Sequence, residues 1–219
     1  VLADAMGDTE KAESYRETAA TAREAWNEFF IDPDTGKTKN TKGEIQDTQA
    51  SYATPLRFHV VSDENLEKVL ENYNATIAEA SGEDSDGMPI VPYTLTTGFN
   101  ATGNLLNALS DYGLNDTAYK LFESTDYASW LYPVTQGATS IWERWNGYTN
   151  ELGFNGNNSM NSFNHYSLGA VYEWMVAYQL GIKSDETQPG YQHFILQPTV
   201  GGDFTEAKGS YDSVYGTIK

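Results

Sequence analysis

The start of the chain carries an apolar stripe with helical spacing. Apolar side chains recur there at steps of three and four, which places them on one face of a helix. They are Ala12, Tyr15, Ala19, Ala22, Trp26 and Phe29. The stripe ends at residues 32–36, where a proline fixes φ and a glycine permits a left-handed conformation. The aspartates of this segment faintly resemble a calcium loop, but the later ligands are out of register, so a turn followed by a polar loop is predicted.

A second helix is predicted after Ser62, a residue type that favours the N-cap position. Asp63 and Glu64 fall in its first turn, where the helix dipole favours anions. Its apolar stripe comprises Leu66, Val69, Leu70, Tyr73 and Ile77. The other clear helical patterns lie at 105–112, 115–122 and 168–181, and glycines close the first and last of them.

The pattern changes after residue 184. Apolar and polar residues alternate within 191–200, and a similar stretch at 204–215 follows two glycines, which predicts strands. The predicted organisation is therefore a helical part at 1–184 and the start of a β domain at 185–219. A lone hairpin is marginal in water, and about six helices with long connections are typical of half a ring of helical hairpins, so both ends look cut.

Composition narrows the class of protein. The 219 residues include no cysteine, and 13 Lys and Arg stand against 31 Asp and Glu, a net charge of −18. The acidic balance argues against nucleic-acid binding, which needs a clustered basic surface. No apolar run is long enough for a membrane span. Without cysteine thiols the chain has neither disulfides nor thiolate metal sites. The aromatic content of 13% argues against disorder. The compartment is left open, with a lean to the cytoplasm.

The most unusual segment lies in the later half of the chain. It places Glu143 between Trp142 and Trp145, and Asn164 and His165 follow a loop rich in glycine and asparagine. Sugars pack their C–H faces on aromatic rings and bind fixed amides through their hydroxyls, and a carboxylate beside tryptophan can act as an acid or a base. The same residues could also form an ordinary core with a surface carboxylate. From the residues alone, both interpretations stay open.

Other kinds of chemistry have less support in the sequence. Ser162 and His165 could suggest a nucleophile and its base, but no aspartate partner or oxyanion-hole motif accompanies them. The three histidines, His59, His165 and His193, are scattered and lack the spacing of metal ligands. No metal and no cofactor are therefore expected.

Four blocks of the helical part have a distinctive order and spacing. They are Leu-Thr-Thr-Gly-Phe at 95–99, Thr-Asp-Tyr-Ala-Ser-Trp at 125–130, the Trp-Glu-Arg-Trp segment at 136–147 and Asn-Ser-Phe-Asn-His-Tyr at 161–166. Together they closely resemble the bacterial α-L-rhamnosidases of glycoside hydrolase family 78. The tail at 189–194 and 207–216 resembles the start of that family's C-terminal β-sandwich. The resemblance covers nearly the whole chain and is far more specific than any single motif.

The resemblance implies a mainly α fold, a partial (α/α)6 toroid followed by the first strands of a C-terminal β-sandwich. It also implies release of terminal L-rhamnose with inversion, which needs two carboxyl groups roughly 6.5–9.5 Å apart. By resemblance Glu143 is the general base, and His165 and Asn164 bind the sugar. Trp142 and Trp145 would form pocket walls. The implied partner is a rhamnose-containing glycoside, and neither nucleic acid nor a membrane is expected.

The chain also departs from the family pattern. The family's general acid is a glutamate in an acidic block that ends in Gly-Trp-x-Gly-Asp, and no such block occurs here, so the acid is expected upstream. Asn146 stands where the family often has Asp, and Ala128 where it often has Pro, which we interpret as tolerable variation. Thr94 stands where a His is common and could alter a subsite.

Two hypotheses of different class follow. In the first, the chain is the later half of an inverting α-L-rhamnosidase that hydrolyses little alone and self-associates through an exposed barrel face. In the second, it is a non-catalytic carbohydrate-binding helical domain; a helical-toroid glycosidase for another sugar is a further alternative. A second carboxylate facing Glu143 would favour the hydrolase over the binding domain. The local candidates are Glu123, Asp126 and Glu151. The sequence leaves the aglycone open.

Overall fold

The structure, a computed structural model, describes residues 1–154 and 159–219. Its α-helices are α1 (Leu2–Ala5), α2 (Thr9–Phe30), α3 (Gln49–Arg57), α4 (Asp63–Ala78), α5 (Phe99–Asp111), α6 (Asn115–Glu123), α7 (Tyr132–Thr135) and α8 (Val171–Trp174). A 3-10 turn (Ser167–Ala170) precedes α8 and a π turn (Met175–Gln179) follows it directly, so 167–179 is one helical segment. The strands are β1 (Gly82–Glu83), β2 (Pro89–Ile90), β3 (Ile182–Ser184), β4 (Phe194–Leu196), β5 (Tyr211–Ser213) and β6 (Gly216–Ile218).

The helices form an inner row and an outer row. In the inner row α3 packs on α5, and α5 packs in turn on the 167–179 segment. In the outer row α4 and α6 contact each other, and they lie behind α3 and α5. Alternation of inner and outer helices along the chain is typical of a ring of helical hairpins. It confirms the predicted mainly α, partial toroid followed by strands.

Connections are long at one end of the two rows and short at the other. The connections 31–48, 79–98 and 124–166 each lead into the N-terminus of an inner helix, whereas 58–62 and 112–114 are short turns. Because hairpin neighbours run in opposite directions, the long connections gather at the same end. The candidate site residues lie in one of these long connections, 124–166; they are Trp142, Glu143, Trp145, Asn164 and His165. Residues 157 and 158 of the same connection fall outside the described part of the chain.

The core lies between the two rows of helices. Tyr73 of α4 is fully buried, and its hydroxyl donates to the Leu105 carbonyl of α5 at 2.8 Å. Trp174 of α8 is also buried, and its indole N–H donates to the Ser110 hydroxyl at 2.9 Å. Other members of the core are Tyr52, Leu56, Val69, Ile77, Leu106, Leu109 and Leu121. Burial of one such side chain contributes about 1.5–3 kcal/mol, so apolar packing holds the rows together.

Helix α2 lies at the edge of this arrangement. Arg23 donates to the Val61 carbonyl at 2.7 Å, and Asn27 donates to the Val60 carbonyl at 2.8 Å, which ties α2 to the turn before α4. Its predicted apolar stripe is only partly covered, because Tyr15 is 65% exposed and Phe29 is 50% exposed. The predicted helix is therefore present, but much of its apolar face contacts no other part of the described chain.

Observed helices agree with the predicted ones where the apolar stripe is long. Helices α2, α4 and α6 lie where the pattern places them, whereas α5 begins at Phe99 rather than at 105. Helix α3 is not predicted, because it is short and contains Pro55. Ser62 occupies the N-cap of α4 as predicted but makes no side-chain cap; its backbone N–H donates to Asn27 Oδ1 at 2.8 Å.

Strands in the tail are shorter than the alternation predicts. They pair in sequence as antiparallel hairpins, β3 with β4 and β5 with β6, and β1 pairs with β2 in the same way within the 79–98 connection. Ile182 lies opposite Leu196, so the β3–β4 hairpin joins the end of the helical part to the tail. The division of the chain after residue 184 stays a prediction. None of the described helices combines the length and the apolar character that crossing a membrane requires.

Candidate active site

Two segments of the long connection 124–166 run side by side and carry the candidate residues. The Glu143 amide donates to the Ser162 carbonyl at 2.9 Å, and the His165 amide donates to the Ile141 carbonyl at 2.9 Å. The Ser140 hydroxyl adds a hydrogen bond to the Phe163 carbonyl of the opposite segment. This antiparallel pairing brings together Glu143 and His165, which the sequence separates by a loop.

Glu143 and His165 face each other within the site. Glu143 Oε2 accepts the Ser162 amide at 2.8 Å, and Glu143 Oε1 lies 4.0 Å from His165 Nε2. Both side chains are mostly covered, with 14% of Glu143 and 22% of His165 exposed. His165 Nδ1 accepts the Ser167 amide at 3.3 Å, which in a neutral imidazole leaves the hydrogen on Nε2. Nε2, the donor of the neutral ring, is therefore the ring nitrogen that lies 4.0 Å from the carboxylate.

The His165 ring stacks with two aromatic rings. Phe99 lies 4.8 Å from it at an interplanar angle of 18°, and Tyr166 lies 5.3 Å from it at 11°. Phe99 is the last residue of the Leu-Thr-Thr-Gly-Phe block and the first residue of α5. The structure thus adds Phe99 to the site. The sequence signal was present, since Phe99 belongs to a block of the family resemblance, but nothing in the pattern linked it to His165.

The two tryptophans beside Glu143 have packing partners of their own. Trp142 is buried and meets the Phe163 ring edge-on at 5.0 Å. Trp145 donates its indole N–H to the Thr97 carbonyl at 3.1 Å and packs edge-on against Trp130 at 5.9 Å. Both line a small cavity of about 50 Å³. They contribute to the core around Glu143, and their role as sugar-facing walls stays a prediction.

The two asparagines of the 161–166 block have different surroundings. Asn164 is exposed just before His165, and its backbone N–H donates to the Ser162 hydroxyl at 3.2 Å. Asn161 donates from Nδ2 to the Gly147 carbonyl at 2.7 Å. A Cβ on Gly147 would come within 2.6 Å of Asn161 Oδ1, so this position of the Trp-Glu-Arg-Trp segment accepts only glycine without movement.

Asp86 joins the site from a different connection, and the sequence did not single it out. Its Oδ2 accepts from Arg144 Nη2 at 2.7 Å and from Asn146 Nδ2 at 2.8 Å. In the sequence Asp86 lies in a stretch rich in Gly, Asp and Ser, which predicts only a break between helices. The contact depends on how the 79–98 connection folds over the 124–166 connection, and no local pattern shows it.

The carboxylates proposed as a second acid have other surroundings. Glu123 Oε1 accepts the Asp203 amide of the tail at 2.8 Å. Burial, and then the charge of Glu151, raise the pKa of Tyr132, which places Glu151 near that ring. Asp126 is exposed. In the described part of the chain, none of these three carboxylates is hydrogen-bonded to the segments that carry Glu143 and His165.

Thr94, where the resembled family commonly has histidine, is a buried turn residue. It is fully buried, and its hydroxyl donates to the Val91 carbonyl at 2.6 Å. The Gln49 amide also donates to the Thr94 carbonyl, at 2.8 Å. The side chain therefore stabilises the 79–98 connection. Within residues 1–154 and 159–219, no three His, Asp or Glu side chains form a group that could bind a metal ion.

The helices form inner and outer rows, and the connections at one end carry a carboxylate, a histidine and tryptophans. This arrangement is typical of helical-hairpin glycosidases. The sequence profile of the bacterial alpha-L-rhamnosidase 6 hairpin glycosidase domain matches residues 1–178. The profile of the bacterial alpha-L-rhamnosidase C-terminal domain matches residues 181–219. The chain therefore belongs to the bacterial α-L-rhamnosidase family.

Individual relatives and solved structures agree with this assignment. The chain is 35% identical over 217 residues to an alpha-L-rhamnosidase of Formosa agariphila, covering 99% of this chain and 21% of the relative. It resembles the Streptomyces avermitilis alpha-L-rhamnosidase crystallised with L-rhamnose, with a TM-score of 0.79 and 33% identity. The match covers 94% of this chain and 18% of that protein. The α-L-rhamnosidase of Aspergillus terreus gives a TM-score of 0.83 at 27% identity, and the match covers 99% of this chain and 23% of that protein. The chain thus spans about a fifth of each of these proteins.

Proposed function

We propose that the chain supplies the later half of the catalytic domain of an inverting glycoside hydrolase that removes terminal α-L-rhamnose. The observation that carries the proposal is the pairing of Glu143 with His165 at the end of the hairpins where the long connections gather. Membership of the family and the likeness to a structure that binds L-rhamnose support the choice of sugar.

Glu143 has the features that a general base for water requires. The Ser162 amide fixes Oε2, which leaves Oε1 to take a proton from a water molecule that attacks the anomeric carbon. His165 Nε2–H, 4.0 Å from Oε1, can donate to a sugar hydroxyl or to that water. In an inverting reaction a second carboxyl group, roughly 6.5–9.5 Å from the base, protonates the leaving oxygen. We propose that this acid lies upstream of the chain.

The test compares Glu143→Gln with Glu67→Gln in the complete protein that contains this chain, with an aryl α-L-rhamnoside as substrate. Glu67 is an exposed carboxylate of α4 and serves as the matched control. We expect Glu143→Gln to lower kcat by a factor of about 10²–10⁴ and Glu67→Gln to keep the parent rate. Proton NMR of the first-formed rhamnose should show the inverted anomer.

Other results would change the proposal in distinct ways. Activity that survives Glu143→Gln would remove Glu143 from the mechanism, and a product of retained configuration would overturn inversion. Hydrolysis by the isolated 219-residue chain that Glu143→Gln abolishes would show that the acid lies within the chain or comes from a second copy. L-Rhamnose binding without hydrolysis by the complete protein would favour the carbohydrate-binding alternative.

A further inference from the structure

The turn between β1 and β2 reaches across to the segment that carries Glu143. Asp86 of this turn accepts hydrogen bonds on a single oxygen, Oδ2, from Arg144 at 2.7 Å and from Asn146 at 2.8 Å. Arg144 is the residue after Glu143, and Asn146 lies three residues after it. One carboxylate oxygen thus holds two side chains of the short stretch that follows Glu143.

The turn itself is firmly held. Asp84 Oδ1 accepts the amides of Asp86 and Met88, each at 2.9 Å, and the Gly87 amide donates to the Asp84 carbonyl at 3.1 Å. Asp84 Oδ2 accepts the Tyr127 hydroxyl at 2.6 Å, and the Tyr127 ring packs against the core. Asp86 is therefore presented by a turn that is anchored to the helical rows.

We propose that Asp86 is a positioning residue for Glu143, acting through Arg144 and Asn146, and that Asn146 is matched to Asp86 as its donor. This inference rests on the proposed role of Glu143 as the base. The Glu143 side chain has one amide donor, Ser162, among the described contacts, so the direction of Oε1 depends on the backbone that Asp86 fixes. A displacement of the base by about 1 Å can cost a factor of 10² in rate.

The identity of residue 146 follows from the same contact. Asn146 is 5% exposed, and its Nδ2 must donate because Asp86 Oδ2 can only accept when ionised. An aspartate at 146 would put two carboxylates at hydrogen-bond distance, and like charges at that distance repel. Exchange of the two residue types would restore a donor–acceptor pair, and the carboxylate at 146 would lie within the same stretch as Arg144.

The kinetic test uses the complete protein and an aryl α-L-rhamnoside. Asp86→Asn and Asn146→Asp should each lower kcat by roughly 10- to 100-fold, with KM nearly unchanged because neither residue is proposed to touch the sugar. The exchange variant Asp86→Asn/Asn146→Asp should recover most of kcat. Asp34→Asn, an exposed aspartate in another turn, is the control and should keep the parent values.

The second test needs no activity and uses the 219-residue chain. Asp86→Asn should raise the hydrogen-exchange rates of the Glu143 and Ser162 amides, and the exchange variant should restore their protection. Arg144→Met, which cuts the same contact from the other side, should act in the same direction if Asp86→Asn fails to fold. This arm distinguishes failure of the positioning role from failure of the proposed hydrolase function.

Two results would overturn the proposal. One is an Asp86→Asn variant with the parent kcat and unchanged exchange at Glu143 and Ser162. The other is a loss of kcat that the exchange variant does not recover while amide protection stays at the parent level, which would mean that Asp86 acts on the substrate directly.

Discussion

The His165 ring is held by stacking with Phe99 and Tyr166 and by the Ser167 amide at Nδ1. These contacts restrict different motions of the ring: the stacked rings restrict tilting, and the amide restricts rotation about the Cβ–Cγ bond. Nε2–H is then the polar group of the side chain that remains for the site. At the residue scale, these contacts hold the Nε2 donor beside the Glu143 carboxylate.

His165→Gln should keep more activity than His165→Asn in the complete protein. A glutamine amide reaches the position of Nε2 and can donate there, whereas an asparagine amide reaches only the position of Nδ1. A lost hydrogen bond is worth about 0.5–1.5 kcal/mol, so we expect His165→Asn to lower kcat/KM by up to roughly 10-fold. The rates are measured with an aryl α-L-rhamnoside.

The control for this comparison is His193→Asn. His193 is an exposed histidine of the tail that pairs with Asp185 at 2.9 Å, and its variant should have the parent rate. Equal losses for the Gln and Asn variants at position 165 would contradict a role for the Nε2 donor.

Asp84 gives the β1–β2 turn a predictable dependence on pH. Burial alone would raise the pKa of Asp84, but hydrogen bonds from Tyr127 and from the Met88 and Asp86 amides outweigh it and lower the pKa below its ordinary value of 3.8. A carboxyl group with a lowered native pKa stabilises the fold above its unfolded pKa, and that contribution is lost as the pH falls through the native value.

We therefore expect the β1–β2 turn to keep its protection at neutral pH and to open as the pH falls below about 4. Amide exchange at Asp86 and Met88, followed between neutral and acid pH, measures this opening. Asp84→Asn should open the turn at neutral pH as well and should remove the acid dependence. If the acid transition is unchanged in Asp84→Asn, a group other than Asp84 causes it.

At the scale of elements, α5 occupies the centre of the structure. It packs on α3, on α6 and on the 167–179 segment, and its N-terminus carries Phe99 into the site. Leu105 and Leu109 on α5 are fully buried, and Leu106 is nearly so. Loss of packing on this helix should therefore affect both the core and the position of the His165 ring.

Leu105→Ala should destabilise the chain by about 2–5 kcal/mol, because it leaves a cavity among rigidly packed neighbours. Urea unfolding followed by tryptophan fluorescence measures the loss. Leu2→Ala removes the same atoms from a residue that is 78% exposed and should change the free energy of unfolding by less than about 0.5 kcal/mol. Comparable losses in the two variants would show that α5 is not the centre of the core.

Helix prediction from the sequence succeeded where apolar residues repeat along one face over several turns. Helix α4, with apolar residues from Leu66 to Ile77, is an example. Helix α3 is too short for a long stripe and contains Pro55, and contacts outside the helix help to hold it. The Gln49 side-chain nitrogen donates to the carbonyls of Thr76 and Thr94, and its side-chain oxygen accepts the Thr96 amide. Such bonds come from distant parts of the chain, and local periodicity cannot report them.

At the scale of the whole molecule, the rows of helices expose apolar surface at their edge. Exposed apolar side chains of α2 include Tyr15 and Phe29, and the net charge of −18 works against contact between copies. An apolar face of this kind usually finds a partner when the charge repulsion is screened.

The isolated chain should therefore self-associate, and more strongly as salt is added. Light scattering across a range of concentration and ionic strength measures the effect. Tyr15→Ser/Phe29→Ser should reduce association without unfolding the chain, because both side chains are half or more exposed. A monodisperse monomer at high salt and high protein concentration would contradict the prediction.

The sequence by itself determined the helical periodicity, the acidic charge and the four blocks that identify the family, because these properties are local to short stretches of chain. It also placed Glu143 and His165 in neighbouring blocks. Only the tertiary structure brought Glu143 Oε1 to 4.0 Å from His165, stacked Phe99 on that ring and set Asp86 against Arg144 and Asn146. These contacts join the connections 79–98 and 124–166 and the N-terminus of α5. Their geometry is fixed by how the inner and outer helices pack rather than by any residue's neighbours in sequence.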